Sequence, residues 1–424
     1  MKRIGRVLTL VLILGFLAAG TAFAGGGKEQ APSTSKVTLT WLQHWDPEVG
    51  ADLMDKIQAK FMETHPGVTF DRQTTPFGTL YDKLIILAQA KQLPDIWALN
   101  GNWIPPLESL GVIESLESRL VKEGIKDKLS FLETYKNQEW VVDVYGGPVI
   151  TFCNRGMFKQ AGLSYPTTWN EYLDVSRKLS DPAKNRYATA AELGFEDNGG
   201  LFYWYWPLLY SAGGKGVDSK GKLDYNTRPG VQALEFLATM YNEKLLLPGS
   251  LSNTQKEKRE AFVGESIAMQ NEGPWGPGIL KQMNASFEYD IIKWVKGPAS
   301  RGGIAAGTGV SMSSSSKHKD LAWEFIKFIT VGEGNKMFVE ATGNTSNYKP
   351  HLELEYVKKD PKLSPFAAQL AETGNRGVPI VPDQVTLEKI LLGEIQQHLS
   401  GKKSAQQALD DVVKQYEEAL AKKK

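Results

Sequence analysis

VTLTWLQHWDPEVGADLMDKIQAKFMETHPGVTFDRQTTPFGTLYDKLIILAQAKQLPDIWAL, residues 37–99, decides the fold. Residues 37–41 alternate with period two, as a strand with one buried face does. Within 50–64, Leu53, Ile57 and Phe61 recur at helical spacing with Met54 and Met62 alongside, and Pro66-Gly67 stops that helix. A second strand is expected over 68–73, a second helix around 78–91 and a third strand over 94–99. Strands alternating with helices in this rhythm imply parallel pairing with helices on both faces of the sheet.

The rhythm recurs downstream. ESIAMQ, residues 265–270, reads as a strand. Residues 318–329 place Leu321, Ala322, Phe325, Phe328 and Ile329 on one helical face, with Ser313 to Ser316 supplying the cap before it. Residues 404–422 carry Ala405, Ala408, Leu409, Val412, Val413, Tyr416, Ala419 and Leu420 at three-to-four spacing, a last amphipathic helix.

At the other end, Lys2, Arg3 and Arg6 precede the apolar run 7–20 and the small-x-small triplet Ala22-Phe23-Ala24. Residues 1–24 therefore read as a signal peptide, too short in its apolar part to span a bilayer comfortably; an uncleaved anchor is the alternative. The lone cysteine is Cys153, so no lipid can be attached at the cleavage site. Residues 25–35 are small and polar, a flexible tether. An exported, periplasmic or otherwise extracytoplasmic protein is expected. Without the 24 signal residues, 400 of the 424 remain, too many for one core, and two domains follow. With the three basic residues of the signal taken from the 49 in the chain, 46 face 48 acids, which excludes the basic excess that nucleic acid requires. One cysteine cannot form an internal disulfide, so burial must hold the fold.

In open α/β sheets ligands sit beyond the carboxyl ends of the strands. Gln43-His44-Trp45-Asp46 follows the first strand, Asn100-Gly101-Asn102-Trp103 the third, and Asn271-Glu272-Gly273-Pro274-Trp275-Gly276 the stretch 265–270. Each loop pairs a tryptophan with short hydrogen-bonding side chains. A sugar needs this chemistry: its C–H face stacks on an indole and its hydroxyls need fixed donors and acceptors. Any one of these tryptophans could equally be a half-buried core aromatic. FYWYW, residues 202–206, cannot all face a ligand, and at least half must be core.

Several segments resemble the extracellular solute-binding proteins of family 1, the sugar- and oligosaccharide-binding proteins of ABC importers. FMETHPGV is similar to the family's F-x-x-x-(H/Y)-P-G-(I/V), and AQAKQLPDIWALN to A-x-x-x-G-x-x-P-D-(V/I), with Gln92 where glycine is usual. LESLGVIESL, YGGPVITFCNRGMFKQAGLSYPTTWNEYLDVSRKL, REAFVGESIAMQNEGPWG, SSKHKDLAWEFIKFITVGEGNKMFVEATG and GKKSAQQALDDVVKQYEE follow in the family's order over nearly all 400 residues.

The resemblance implies an α/β, two-lobed periplasmic-binding-protein-like fold. Each lobe would be a mainly parallel sheet flanked by helices, and a hinge would join the two. On this sequence the N-terminal lobe would be 36–145 plus 302–343, and the C-terminal lobe 148–298 plus 346–424. The ligand would lie in the cleft, and the closed form would dock membrane permease subunits of an ABC importer, the protein itself being a monomer. By position, Trp275 of the Gly273-Pro274-Trp275 element would stack on the sugar. Trp45, Asp46, Thr75, Asn100, Asn102, Trp103, Tyr203, Glu272, Asn344 and Arg376 would complete the candidate site. The crossover Tyr145-Gly146-Gly147-Pro148 lacks the acid that some oligosaccharide binders carry there, which leaves the sugar open.

The same residues bear on two other classes. A glycoside-processing enzyme would need two carboxylates across the scissile bond; Asp46 and Glu272 could meet there, although polar sugar contacts account for both more simply. A polyamine binder would use the same aromatics as a cation box with acids. No nucleophile elbow, zinc-binding or phosphate-loop motif occurs, and the five histidines and one cysteine have no metal-site spacing, so no catalytic residue, cofactor or metal is expected.

Overall fold

The computed structural model describes residues 36–422 except 197–198, 219–220 and 374–376. The signal and tether segments, and Arg376, lie outside the described residues.

β1 (Val37–Gln43), β2 (Val68–Thr74) and β3 (Ile96–Leu99) form the expected unit, with the helices Ala51–Thr64 and Phe77–Gln89 as crossovers. β1 pairs in parallel with β2 along its whole length and with β3 at Trp41 and Leu42. The helix Ala51–Thr64 buries Met54, Ile57 and Phe61, the face its spacing predicts. After a short hairpin of β4 (Thr134–Tyr135) and β5 (Gln138–Glu139), the chain enters β6 (Val142–Pro148) and passes directly into β7 (Ile150–Asn154). β8 (Met269–Glu272) and β9 (Tyr289–Ile292) flank β7, and β10 (Ala305–Met312) returns to the first sheet. The first sheet has the order β2-β1-β3-β10-β6, with β10 antiparallel to both its neighbours.

The second sheet, β8-β7-β9, departs from the parallel arrangement expected for it. Both its pairs are antiparallel, and parallel pairing there reduces to single bridges, Thr168 with Lys296, Tyr187 with Ile267 and Thr189 with Leu246. Both of β7's partners come back to it more than 100 residues later, against its direction. The strand expected over 265–270 begins only at Met269, because Ile267 is taken by the bridge to Tyr187.

Two large cores result. One joins Leu39, Trp41, Phe61, Trp97 and Val144 to Val310, Phe325, Ile326 and Phe338. The other joins Val149, Phe158, Trp204, Leu237, Met269, Trp294, Leu391 and Val412. Fully burying one such aliphatic or phenyl side chain contributes about 1.5–3 kcal/mol, so each core can hold its own layers together. The helix Lys319–Thr330 begins at His318 without a side-chain cap. Ser316, expected to cap it, instead donates to Asp95 Oδ1 at 2.6 Å and accepts from the His318 amide at 3.1 Å.

Candidate ligand-binding site

Trp275 follows β8 and leads into the helix Gly276–Gln282, whose proline in the first turn fixes the turn's direction. Its indole is partly exposed and packs against both cores. A methyl group on Gly273 would lie 2.3 Å from the indole carbons, so only glycine lets the ring fold back over the turn. The Phe202 ring lies nearly parallel to the indole at 6.5 Å, and the Tyr145 ring meets it edge-on at 6.3 Å. Gly147 of the crossover is equally close to this turn: a Cβ there would stand 3.2 Å from Pro274 and 2.9 Å from Thr345 Oγ1.

Glu272 is 1 % exposed and is not a ligand surface, contrary to expectation. Its Oε1 accepts from the Trp275 indole at 2.5 Å and from Arg259 Nη2 at 3.2 Å, and its Oε2 from Arg259 Nε at 2.9 Å. Lys258 Nζ stands 3.5 Å away, bonded to Glu192 at 2.7 Å and to the Asn271 carbonyl at 2.8 Å. Burial alone would raise the Glu272 carboxyl, yet Arg259 and Lys258 hold it down at about 2. Tyr203 is also spent: it is 3 % exposed, donates to Gln255 at 2.9 Å, and carries Lys258 Nζ 3.6 Å above its ring.

Trp45 is likewise a core aromatic rather than a cleft surface. It is fully buried against Trp41 and Phe338, because β1 runs two residues further than expected and carries the loop into the core. Asp46 Oδ2 accepts from Arg72 Nε at 3.1 Å and from Thr74 at 2.7 Å, and Arg72 also binds Asp55 and Gln58, so Asp46 ties its turn to β2. Thr75 bonds to Thr79 at 3.0 Å in the first turn of the next helix.

The loop after β3 is more open. Asn100 caps the short turn Gly101–Trp103 by accepting from the Asn102 amide at 3.2 Å, and donates to the Gly307 carbonyl at 3.4 Å. Asn102 Nδ2 donates to Glu388 Oε1 at 2.9 Å, reaching the helix Gln384–Leu399, whose apolar face packs in the second core. Trp103 stacks on Phe77 at 5.3 Å and lies 5.6 Å from Tyr81; Phe77 is 38 % exposed. Beneath this loop Glu133 occupies the place a Gly101 side chain would take. Burial, then the mutual repulsion of Glu133 and Asp143 and the nearby Glu139, pushes the Glu133 carboxyl well above the usual carboxylate range, and Asp143 is raised as well. Asn344 is buried, with Nδ2 donating to Thr342 at 2.9 Å.

The structure thus brings Tyr203, Glu272, Gly273 and Trp275 together, and separately Asn100, Asn102 and Trp103. Rings connect the two groups: Trp103 to Phe77, Phe77 to His44, His44 to Trp45, Trp45 to Phe338, Phe338 to Tyr145 and Tyr145 to Trp275, each within 6.3 Å. Arg259, Lys258, Phe202 and Tyr145 were not foreseen in the site. KEKRE, residues 256–260, reads as a solvated charged face, and no local signal shows that two of its cations are drawn inward. Among the described residues no three His, Cys, Asp or Glu side chains gather as metal ligands.

Two cores, crossover strands between their sheets, and strand-end loops carrying half-exposed rings define a two-lobed solute-binding fold. Residues 45–336 match the bacterial extracellular solute-binding protein family, and the chain belongs to it. The chain is 22% identical over 377 residues to a putative binding protein of Brucella abortus, covering 87% of this chain and 90% of that one. It is 22% identical over 361 residues to the multiple sugar-binding protein of Streptococcus mutans, covering 81% and 82%. Among solved structures, the solute-binding protein of Thermotoga lettingae bound with alpha-D-tagatose superposes with a TM-score of 0.79 at 22% identity, over 89% of this chain and 98% of that one.

Proposed function

We propose that this protein is the extracytoplasmic substrate-binding subunit of an ABC transporter, capturing a sugar or oligosaccharide between its lobes and handing it to the permease. The observation that carries the reading is the half-exposed Trp275 indole, held by Glu272 and flanked by Phe202 and Tyr145 at the turn where both cores meet. The sugar ligands of the Streptococcus and Thermotoga relatives favour the same class. In this reading the lobes are 36–145 plus 302–343 and 148–298 plus 346–424. Residues 1–24 are removed on export, and the mature protein is a monomer without affinity for nucleic acid. It performs no chemistry on its ligand: Glu272 is buried with its oxygens held by Arg259 and Trp275, and Asp46 is held by Arg72 and Thr74, so neither carboxylate of a glycosidase pair is free to act. A polyamine is disfavoured for the same reason, since Glu272 is already paired with Arg259.

The test is a thermal-shift screen of residues 25–424 against mono- and oligosaccharides, uronates, polyamines and amino acids, followed by calorimetry. A sugar at 100 times its dissociation constant adds about 2.7 kcal/mol to stability. Trp275→Ala should then weaken binding by about 1–3 kcal/mol through lost stacking and burial. Unchanged affinity in that variant would remove Trp275 from the site, and a response to polyamines alone would overturn the ligand class.

A further inference from the structure

We infer that Glu272 is a positioning residue, which with Arg259 and Lys258 locks the Trp275 indole in the orientation that meets the ligand. The inference rests on the reading of Trp275 as the stacking surface and adds what sets that surface's plane.

A tryptophan ring on a turn can rotate about two side-chain torsions, and freezing them on binding costs affinity. Here both are taken up before any ligand arrives. The indole N–H is tied to Glu272 Oε1, three residues back in the chain. The ring face lies against the bare Gly273 backbone, where a Cβ would come within 2.3 Å. Such a bond fixes a plane only if the acceptor is itself fixed. Glu272 meets that condition: Arg259 grips both its oxygens, at 2.9 and 3.2 Å, and Lys258 stands 3.5 Å from Oε2. The cations are anchored in turn, Arg259 to Gln255 at 2.8 Å and Lys258 to Glu192 at 2.7 Å. Lys258 and Glu192 are fully buried.

Stability alone is a poor reason for this arrangement, because a buried ion network repays its desolvation only in part and apolar residues would serve as well. What apolar residues cannot do is accept the indole proton from a fixed direction. The network also balances its charges: Lys258 and Arg259 against Glu192 and Glu272.

The experiment follows the tryptophan indole N–H signals of the ¹⁵N-labelled, ligand-free protein by NMR, with the Trp275 signal identified by its loss in Trp275→Phe. In the unaltered protein the Trp275 indole proton should exchange with deuterated water at least tenfold more slowly than an open indole, despite the ring's partial exposure. Exchange at the open rate overturns the inference without any variant. In Glu272→Gln and Arg259→Gln the Trp275 signal should shift and its exchange accelerate at least tenfold while the other indoles stay in place. A folded variant with an unmoved Trp275 signal also overturns it. Calorimetry with maltotriose and D-tagatose supplies the second arm. Arg259→Gln should weaken binding several-fold in the unaltered background and not at all in the Trp275→Phe background, whereas an equal loss in both means that Arg259 touches the sugar directly and overturns the positioning role. Failure of sugar capture itself shows separately, as no heat with any sugar of the panel.

Discussion

At the scale of single residues, the Trp275 turn makes a sharp demand of Gly273. Its φ is not in the left-handed region, so the demand is one of space: the indole lies where a methyl group would go. Gly273→Ala should push the ring off its seat and weaken sugar binding by about 1–3 kcal/mol, the same range as Trp275→Ala, with calorimetry as the measure. Binding equal to that of the unaltered protein would mean the ring can move without consequence. A second residue-scale prediction concerns the acids under the Asn100–Trp103 loop. The groups facing Glu133 are Asp143, Glu139 and the Gly101 amide, with Lys126 3.5 Å from Glu139. Because the folded carboxyl of Glu133 titrates above its unfolded value, its favourable contribution is complete below about pH 4.3 and is lost as pH rises through the folded value. Glu133→Gln should therefore raise the melting temperature at pH 7.5 and leave it nearly unchanged at pH 4; a gain of equal size at both would show that charge is not the cause. These residues also mark where sequence reading stops. The place of Trp275 and Asn102 in loops next to strand ends was legible, because such loops follow from the strand pattern. Lys258 and Glu192 were not, since the pair is 66 positions apart and nothing local announces that a lysine in a charged run will be buried.

Among the elements, the join between β1, β3 and the start of the helix Lys319–Thr330 runs through one side chain. Asp95 Oδ2 accepts from the Thr40 amide at 3.0 Å and from its hydroxyl at 2.8 Å, and Oδ1 accepts from Ser316. The Thr40 hydroxyl oxygen in turn accepts from the Asp95 amide at 2.8 Å. Removal of the carboxylate strands these donors at a strand edge, so Asp95→Ala should cost about 1–3 kcal/mol in urea unfolding with sugar affinity retained in the folded fraction. A cost near zero would mean water replaces the carboxylate fully. The helix faces were open to reading, because each depends on residues three or four apart. The last helix, Ala405–Ala421, even shows its start in the chain, with Ser404 and Gln407 closing a capping box. The pairing of β7 with β8 and β9 had no such signal. An apolar strand reads alike whichever direction its neighbours run, and the partners are set by how the whole chain returns.

For the molecule as a whole, capture requires that a ligand favour one relation of the two cores over another, since a ligand with equal affinity for both shifts nothing. Several contacts span the two sides in this structure, among them the bond from Gln282 to the Glu48 carbonyl at 2.5 Å. Trp275 packs against both, and Asn102 Nδ2 on the loop after β3 donates to Glu388 on the helix Gln384–Leu399. The Asn102 bond joins elements of the two cores, so it is lost wherever they part. Asn102→Ala should leave each core intact but tilt the balance toward the open form. A hydrogen bond to a carboxylate contributes about 1.5–3 kcal/mol, which corresponds to a loss of sugar affinity of up to roughly ten- to 150-fold. Small-angle scattering checks the same shift without reference to affinity. The ligand-free variant should have a larger radius of gyration than the unaltered protein, and saturating sugar should bring both to the same compact value. A variant that binds less tightly yet is no more open before sugar is added would make Asn102 a direct contact of the ligand rather than a brace of the closed form.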